Sequence, residues 1–260
     1  MFASMNRPIA SLAGQRIWLI GASSGIGAAL AEQALAAGAH VTLSARREAP
    51  LQALAARFDK AHVLAFDAVD LAAWPTAYAQ LCAQMGEPDL LIFCAADYQP
   101  ERVWDVRAAR AEQMLKINLI SVYCAIETVL PAMLARGRGG IGLIASVAGY
   151  MGLPNASVYG PSKAALINLA EILYSDLHPK GLDVYLINPG FVRTDLTAKN
   201  DFAMPALQTP QQAASAIWQG ITDGAFEIHF PHRFTNTLKF LQLLPYRVRF
   251  ALFERFLKIS

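Results

Sequence analysis

A tyrosine and a lysine four positions apart are the residues of this chain best suited to chemistry. Tyr159 and Lys163 stand in the segment Tyr-Gly-Pro-Ser-Lys, and Ser146 precedes the tyrosine by thirteen positions. Side chains at i and i+4 share one face of a helix, so the phenol and the ammonium group can reach one site. A free phenol titrates near about pH 10, and a neighbouring cation favours the phenolate. The pair predicts a general acid–base with its pKa moved toward neutrality. Taken alone, the same spacing is also common in purely structural helices.

A glycine-rich turn is a second, independent signal. Gly21, Gly25 and Gly27 follow the apolar run 17–20 and precede an alanine-rich helical stretch, 28–37. A turn between a strand and a helix can hold a phosphate, because unpaired N–H groups and the helix dipole face the anion. Glycine permits the positive φ angles and the close backbone approach that such a turn requires. The spacing is G-x3-G-x-G rather than G-x-G-x-x-G, and for the glycines alone an ordinary strand-to-helix turn remains the alternative.

Together the two motifs resemble the short-chain dehydrogenase/reductase family, and the resemblance runs from about residue 14 to residue 231. Further family positions follow in the family's order, among them Asp67, Asn118 and the Pro-Gly segment that begins at Pro189. The catalytic set implied by the resemblance is Asn118, Ser146, Tyr159 and Lys163. The cofactor contacts implied by the resemblance are Gly21, Ser23, Ser24, Gly25, Ile26, Gly27, Asp67, Ala95, Lys163, Pro189, Gly190, Val192 and Thr194.

The resemblance also implies a role for each catalytic residue. Tyr159 would protonate the carbonyl oxygen during reduction, and Ser146 would orient that oxygen by a hydrogen bond. Lys163 would bind the nicotinamide-ribose hydroxyls, while Asn118 would hold a water that links the lysine to solvent. The segment around Thr194 would fix the nicotinamide carboxamide so that one face of the ring is presented.

One segment departs from the family pattern. Where the family usually reads Asn-Asn-Ala-Gly, this chain has Phe93-Cys94-Ala95-Ala96. Ala95 keeps the small size that a close approach needs, but Cys94 removes an amide group that can form hydrogen bonds. The departure therefore bears on cofactor affinity rather than on the catalytic residues.

The end of the second apolar run indicates which cofactor is used. An acidic residue there would bind the ribose 2′-hydroxyl and repel a 2′-phosphate. This chain has Ala45 followed by Arg46 and Arg47. Guanidinium groups suit a phosphate dianion through forked, charge-assisted hydrogen bonds. The arginines predict NADP(H) as the cofactor, with a solvated basic turn as the alternative.

Composition and element order predict the fold class. The 260 residues are 55% apolar, enough for one large core. Short β-rich runs alternate with helical stretches, which implies right-handed βαβ units and a parallel sheet covered on both faces. We expect an α/β fold: a doubly wound, Rossmann-like parallel sheet of about seven strands in one domain, 1–232, with a helical C-terminal extension, 233–260. The predicted strands are 16–20, 39–45, 61–66, 89–94, 140–146, 182–188 and 226–230, and the predicted helices are 25–37, 48–58, 70–85, 107–135, 158–178 and 210–222.

The remaining composition predicts location and partners. The odd set of Cys82, Cys94 and Cys124 has no metal-like spacing and fits reduced, mostly buried thiols of a cytosolic protein. The five histidines form no metal-binding pattern, so no metal is expected. Residues 1–14 lack the apolar core of a signal peptide, and no uninterrupted apolar run reaches about 18 residues, so no spanning helix is proposed. We expect a cytoplasmic homo-oligomer, dimer or tetramer, with a small-molecule partner and no nucleic acid.

The substrate is predicted less sharply than the cofactor. Its walls should be apolar or aromatic, which favours a lipophilic ketone, aldehyde or secondary alcohol. Arg193 is the exception, and we expect it to face solvent. The expected wall residues are Tyr98, Ala148, Tyr150, Pro154 and Phe191, with a lid at 195–207 that includes Phe202 and Met204.

The C-terminal tail distinguishes this chain. Residues 227–260 carry six basic and two acidic residues, a net charge of +4, whereas the remainder has a net charge of −2. Helices are predicted near 234–244 and 246–258, both rich in large apolar residues. Apolar bulk with flanking cations is typical of an interfacial membrane helix. The alternative is that the apolar faces pack on the enzyme body or on a partner subunit.

Three functions remain open at this point. The first is an NADP(H)-dependent carbonyl reductase or alcohol dehydrogenase for a lipophilic molecule. The second is a 3-oxoacyl carrier-protein reductase, which would want a basic docking patch to which Arg136 and Arg138 could contribute. The third is a non-catalytic, cofactor-sensing protein, and the intact catalytic set argues against it.

Overall fold

Seven parallel strands form one sheet in the computed structural model, which describes residues 4–257, with side chains described up to residue 255. Their order across the sheet is β3-β2-β1-β4-β5-β6-β7. The order reverses direction between β1 and β4, where open α/β sheets bind ligands at the carboxyl ends of the strands. The strands are β1 Arg16–Ile20, β2 His40–Ser44, β3 Ala61–Val63, β4 Leu90–Phe93, β5 Gly140–Ile144, β6 Asp183–Pro189 and β7 Glu227–Phe230.

Helices cover both faces of this sheet, and the predicted α/β class is confirmed. The described helices are α1 Gly25–Ala36, α2 Glu48–Ala55, α3 Ala73–Met85, α4 Ala108–Leu115, α5 Ser121–Arg136, α6 Tyr159–Leu177, α7 Pro210–Thr222, α8 His232–Leu243 and α9 Tyr246–Leu257.

The two-residue period of a strand divides the apolar residues between two cores. In β1, Ile17 and Leu19 pack on one face with the helices α1 and α7. Trp18 and Ile20 point to the other face, where they join the core that includes residues of α3, α5 and α6. Because both faces are covered, β1 is an almost uninterrupted apolar run, as expected for a parallel sheet.

Two predicted elements differ from the structure in a way that concerns the site. The predicted strand 61–66 ends at Val63, although the main-chain N–H of Leu64 still donates to Leu43 of β2 and that of Phe66 to Ala45, just after β2. The predicted helix 107–135 is interrupted by a π-helical turn, Lys116–Ile120. Such turns inside α-helices are frequent at functional sites.

The combined helical segment Ala108–Arg136 is long and apolar enough to cross a membrane by length and composition alone, with a mean hydropathy of 1.7. Buried core helices pass the same test. Here Val122, Ile126 and Val129 pack into the core beneath the sheet. We therefore treat the segment as a core helix.

The two C-terminal helices pack against the body of the protein. Phe253 of α9 is buried with Val147, Tyr150 and Met151, and Leu238 of α8 contacts the same cluster. Lys239 of α8 pairs with Glu227, which also accepts hydrogen bonds from Tyr150 at 2.8 Å and Asn188 at 2.9 Å. One side of the extension therefore belongs to the folded unit, as the packing alternative predicts.

Candidate active site

Tyr159 and Lys163 lie one turn apart at the start of α6 and face the carboxyl ends of the strands. The Lys163 Nζ atom is 5.5 Å from the centroid of the Tyr159 ring. It donates a hydrogen bond of 2.8 Å to the carbonyl oxygen of Ile144, the last residue of β5. Burial lowers the pKa of Lys163 to about 8, with a smaller opposing effect from Cys94. A lysine that titrates this close to neutrality can take up and release a proton under ordinary conditions.

The pKa of Tyr159 is raised, whereas the neighbouring lysine in the sequence predicted that it would be lowered toward neutrality. Burial raises it above the ordinary value for a phenol, and the hydrogen bond with Ser146 opposes that shift only in part. Desolvation disfavours the charged phenolate, and at this site it is the largest cause of the shift. The Ser146 Oγ atom also accepts a hydrogen bond of 3.1 Å from the main-chain N–H of Ala148, which fixes the hydroxyl beside the phenol.

Asn118 lies in the π-helical turn, fully buried behind the catalytic pair rather than in the cavity wall. Its Oδ1 atom accepts from the main-chain N–H of Asp97 at 2.8 Å, and its Nδ2 atom donates to the Asp97 carbonyl at 2.9 Å. The same amide nitrogen donates to Ser162 Oγ at 3.0 Å, and that hydroxyl donates to the Tyr159 carbonyl at 2.7 Å. The amide therefore joins the loop after β4 to the first turn of α6.

Asp97 extends this connection to the predicted lid. Its carboxylate pairs with Arg110 of α4 and lies 3.8 Å from Lys199 Nζ. Lys199 donates a hydrogen bond of 2.6 Å to the carbonyl of Tyr98, and the Tyr98 hydroxyl donates one of 2.6 Å to Asn200 Oδ1. These contacts tie Lys199 and Asn200, within the predicted lid, to the loop after β4.

The glycine turn leaves no room for side chains. A Cβ atom at Gly21 would lie 2.5 Å from the main-chain nitrogen of Ala95, and one at Gly27 would lie 2.1 Å from the Gly21 carbonyl oxygen. Gly25 has a φ of +57°, and a Cβ atom there would lie 2.9 Å from the Thr194 methyl group. The turn thus brings bare backbone to the cavity at the first residues of α1, which fits a diphosphate. Gly27 itself is a packing residue and does not line the cavity.

Two arginines stand beside this turn. Both Arg46 and Arg47 line the cavity and are exposed. The Arg47 guanidinium donates to the hydroxyls of Ser23 at 3.3 Å and Ser24 at 3.1 Å. Asp67, after β3, lines the neighbouring part of the wall. This end of the cavity therefore carries two guanidinium groups and one carboxylate beside the backbone of the glycine turn.

The opposite end is formed by the segment that follows β6. Pro189, Gly190, Val192 and Thr194 all line the cavity. The Gly190 N–H is tied to the Phe230 carbonyl at 2.7 Å. Thr197 stabilises the turn: its hydroxyl donates to the Val192 carbonyl at 2.6 Å and accepts from the Thr194 N–H at 3.0 Å. Arg193 is exposed, as expected.

One continuous cavity of about 1450 Å³ joins these parts, large enough for a dinucleotide and a second molecule. Tyr98, Ala148, Pro154, Phe191 and Phe202 line it as predicted. Two other residues that were predicted to form the wall do not line the cavity. Tyr150 lies behind the wall, with its hydroxyl bonded to Glu227, and Met204 turns its sulfur toward the Asn200 amide.

Sequence reasoning missed the residues of the C-terminal helices that line the substrate end of the cavity. Phe234, Leu238 and Leu241 of α8 line the cavity, as do Leu252 and Phe253 of α9. The first three recur at i, i+4 and i+7, the spacing of one helix face. That spacing is the signal in the sequence that could have identified them. The Phe191 ring contacts Phe202 of the lid and Phe234 of α8, with centroid separations of 5.9 and 5.7 Å.

Comparisons with known proteins agree with this geometry. A family model described as "short chain dehydrogenase" matches residues 15–204, which is most of the chain. The chain belongs to the short-chain dehydrogenase family. It is 34% identical over 217 residues to a 2-keto-3-deoxy-L-fuconate dehydrogenase of Xanthomonas campestris pv. campestris, covering 83% of this chain and 69% of that protein.

Solved structures show the same fold. The short-chain dehydrogenase superposes on one from Sphingobium yanoikuyae in complex with NADPH, with a TM-score of 0.77, 26% identity and coverage of 86% and 92% of the two chains. It also superposes on one from Burkholderia phymatum in complex with NAD, with a TM-score of 0.80, 23% identity and coverage of 89% and 94%. Members of this fold family thus bind either cofactor.

The unusual cysteine of this short-chain dehydrogenase lies in the cavity wall between the glycine turn and Lys163. Burial raises the pKa of the Cys94 thiol to about 11, which keeps it protonated at neutral pH. Cys82, Cys94 and Cys124 are all free and are partly rather than fully buried. Among residues 4–257, no group of three or more His, Cys, Asp or Glu side chains is placed to hold a metal ion.

Proposed function

We propose that this protein is an NADP(H)-dependent oxidoreductase that transfers a hydride between the nicotinamide and the carbonyl or secondary alcohol of a lipophilic small molecule. The observation that carries the proposal is the position of Tyr159. Its phenol lies between a dinucleotide-shaped groove and an end of the cavity whose walls are largely apolar. NADPH, when bound, supplies the hydride.

The protein's own groups supply the proton and the orientation. Tyr159, whose raised pKa keeps the phenol protonated, donates its proton to the carbonyl oxygen as the carbon is reduced to the alcohol. Ser146 holds the same oxygen by a hydrogen bond. Lys163 binds the ribose hydroxyls and returns a proton to the phenol, for which a pKa of about 8 is suitable. The Asn118 amide positions the Asp97 loop, and a water-holding role for this residue stays a prediction.

The preference for NADP(H) is supported by charge. Arg46 and Arg47 lie beside Ser23 and Ser24 at the adenosine end of the cavity. We assign these arginines to the ribose 2′-phosphate. Asp67 and Ala95 are assigned to the adenosine end, and the Val192 backbone and Thr194 to the nicotinamide carboxamide.

The lipophilic substrate class is supported by the aromatic and aliphatic wall that α8, α9 and the lid supply. A sugar acid, as in the name of the Xanthomonas relative, would call for cations near the phenol. Among the described residues, Arg102 is the arginine that lines this end of the cavity. Its guanidinium stacks on the Trp104 ring, 4.8 Å from the ring centroid. An aliphatic or polycyclic ketone or aldehyde suits this wall better.

The carrier-protein alternative has weaker support. The basic patch it would need includes Arg136, but that guanidinium pairs with Glu87 at 2.7 Å and donates to the carbonyls of Pro88 and Arg138. A cytoplasmic location and a homo-oligomeric state stay predictions.

The test is a substrate panel assayed by the loss of NADPH absorbance. We expect turnover of medium-length or polycyclic ketones and aldehydes, with NADH a poorer donor than NADPH. Turnover of sugar acids alone would contradict the substrate class, and equal rates with NADH would contradict the cofactor assignment. Cofactor binding with no turnover of any carbonyl would favour a sensing protein.

A further inference from the structure

The outer side of the C-terminal extension carries a cluster of exposed apolar side chains. Four large residues around the turn between α8 and α9 are 53% to 82% exposed. The Tyr246 and Phe250 rings contact each other, with centroids 5.7 Å apart. We call this set the outer patch; its members are Phe240, Leu243, Tyr246 and Phe250. Large apolar side chains exposed together mark a docking surface for a protein or a membrane.

The same two helices present other side chains to the cavity. Leu238, Leu241, Leu252 and Phe253 face inward, against the cavity and the cluster beneath it. The inward residues already make the apolar contacts between the extension and the body of the protein. The residues of the outer patch are therefore not needed for that packing. A partner that binds the outer patch would therefore contact the same two helices that line the substrate end of the cavity.

The charge of the extension favours an anionic surface. Among the described residues of α8 and α9, the exposed charged side chains are basic at Arg233, Arg247 and Arg255 and acidic only at Glu254. Arg249 is buried, and its guanidinium lies 4.6 Å from the centroid of the Tyr246 ring. Aromatic and aliphatic side chains beside cations match the headgroup boundary of an anionic bilayer.

We infer that the outer patch docks on an anionic phospholipid membrane, with α8 and α9 lying at the headgroup level and the substrate wall directly behind them. Docking would then bring the apolar end of the cavity close to the bilayer, with α8 and α9 between them. The inference extends the proposed function by naming the surface at which the enzyme would work. Docking itself requires neither cofactor nor turnover.

The experiment is vesicle flotation of the full-length protein. Vesicles of phosphatidylcholine with phosphatidylglycerol are compared with vesicles of phosphatidylcholine alone, at low and high salt. We expect binding to the anionic vesicles that weakens as salt screens the charges. The variant Leu243→Glu removes the most exposed apolar side chain of the patch and adds a charge that the anionic surface repels, so it should weaken binding at least about tenfold. The variant Arg247→Glu should weaken binding about fivefold or more, since each basic residue near an anionic surface strengthens binding by about that factor.

The matched control is Leu71→Glu, which makes the same change at another exposed leucine. Leu71 follows β3, at the end of the sheet opposite to β7 and the extension. This variant should float like the wild type. An absence of flotation under every condition would overturn the inference, as would equal losses for Leu243→Glu and Leu71→Glu.

Analytical sedimentation of the same variants tests the alternative that a second copy of the chain binds the outer patch. If Leu243→Glu dissociates an oligomer while the wild type does not float, a second copy of the chain covers the patch and the membrane inference is wrong. NADPH oxidation with a water-soluble carbonyl substrate should be unchanged in Leu243→Glu. A failure of the proposed function would remove that oxidation in the wild type as well, so the two failures are distinguishable.

Discussion

The ring of Tyr98 meets the ring of Tyr159 edge to face, with centroids 4.8 Å apart and an interplanar angle of 71°. The hydroxyl of the same Tyr98 donates to Asn200 Oδ1, in the lid, at 2.6 Å. One side chain therefore touches both the proposed acid–base and the segment that covers it. The position of the lid can thus affect how the phenol is held.

Tyr98→Phe tests this connection, because it keeps the ring contact and removes only the hydrogen bond to the lid. A net intramolecular hydrogen bond is worth about 0.5–1.5 kcal/mol. We expect KM for the carbonyl substrate to rise about 2- to 12-fold while kcat stays within about twofold. Steady-state kinetics at saturating NADPH measure both, with Tyr123→Phe, an exposed tyrosine of α5, as the control. A fall in kcat at constant KM would place the Tyr98 hydroxyl in the chemistry instead.

Tyr159→Phe tests the acid–base assignment. General acid–base catalysis contributes about 10²–10⁴-fold, so kcat should fall by a factor in that range. The fold and NADPH affinity should be nearly unchanged, because only the phenolic oxygen is lost. Thermal melting and a fluorescence titration with NADPH check these two points. If the variant kept a substantial share of the wild-type kcat, Tyr159 would not be the proton donor.

Arg46→Ala and Arg47→Ala test the cofactor assignment separately. A hydrogen bond to a charged group is worth about 1.5–3 kcal/mol, so each change should weaken NADPH binding by about that amount and barely affect NADH. Titrations with both cofactors measure the difference. The control is Arg57→Ala, an exposed arginine that pairs with Glu32. Equal losses with NADH and NADPH would rule out contact with a 2′-phosphate.

Lys163 predicts a dependence of stability on pH. Its pKa falls from 10.5 to about 8 on burial, so the unfolded chain binds more protons than the native protein between those values. The lysine therefore destabilises the native state fully below about pH 8, and the free energy of unfolding rises as pH increases toward 10.5. Lys163→Met, which cannot titrate, should lack this rise. Urea unfolding of both proteins should show a stability difference that changes by about 3 kcal/mol across the interval.

The same titration predicts a kinetic signature. The Lys163 cation, present below about pH 8, is the form that binds ribose hydroxyls and supplies a proton. In the reductive direction, kcat/KM for NADPH should therefore fall as pH rises through about 8, since this parameter reports the free enzyme. A profile that stays flat from pH 7 to about 9.5 would contradict the assigned role.

Glu227→Gln tests how the extension is held. Burial alone would raise the pKa of this carboxyl, but hydrogen bonds from Lys239, Asn188 and Tyr150 outweigh that effect and lower it. Its contribution to stability is therefore present above its ordinary pKa and is lost as pH falls through the lower native value. We expect the variant to lose about 1–3 kcal/mol of stability and to show a higher substrate KM, because α8 forms part of the wall. Glu254→Gln, exposed on α9, should change neither the unfolding midpoint nor KM.

Much of the scaffold could be predicted from the order of residues alone. The apolar runs predicted the seven strands, and the stretches between them predicted the helices. This was possible because the alternation of strands and helices can be read from short segments of the sequence. Tyr159 and Lys163, the glycine turn and the two arginines were predicted as site residues in the same way. Each of these depends on spacing within a short segment, where neighbours in sequence are also neighbours in space.

Contacts between distant segments were decided only by the tertiary structure. Tyr150 and Met204 looked like wall residues by type, but partners far away in sequence, or on the same lid, turn them from the cavity. The extension looked like a terminal addition, yet its inward face closes the substrate end. The direction of the Tyr159 pKa shift likewise depends on the burial of the phenol, which outweighs the opposing hydrogen bond with Ser146. Burial is the sum of contacts from many elements, and spacing along the chain carries no measure of it.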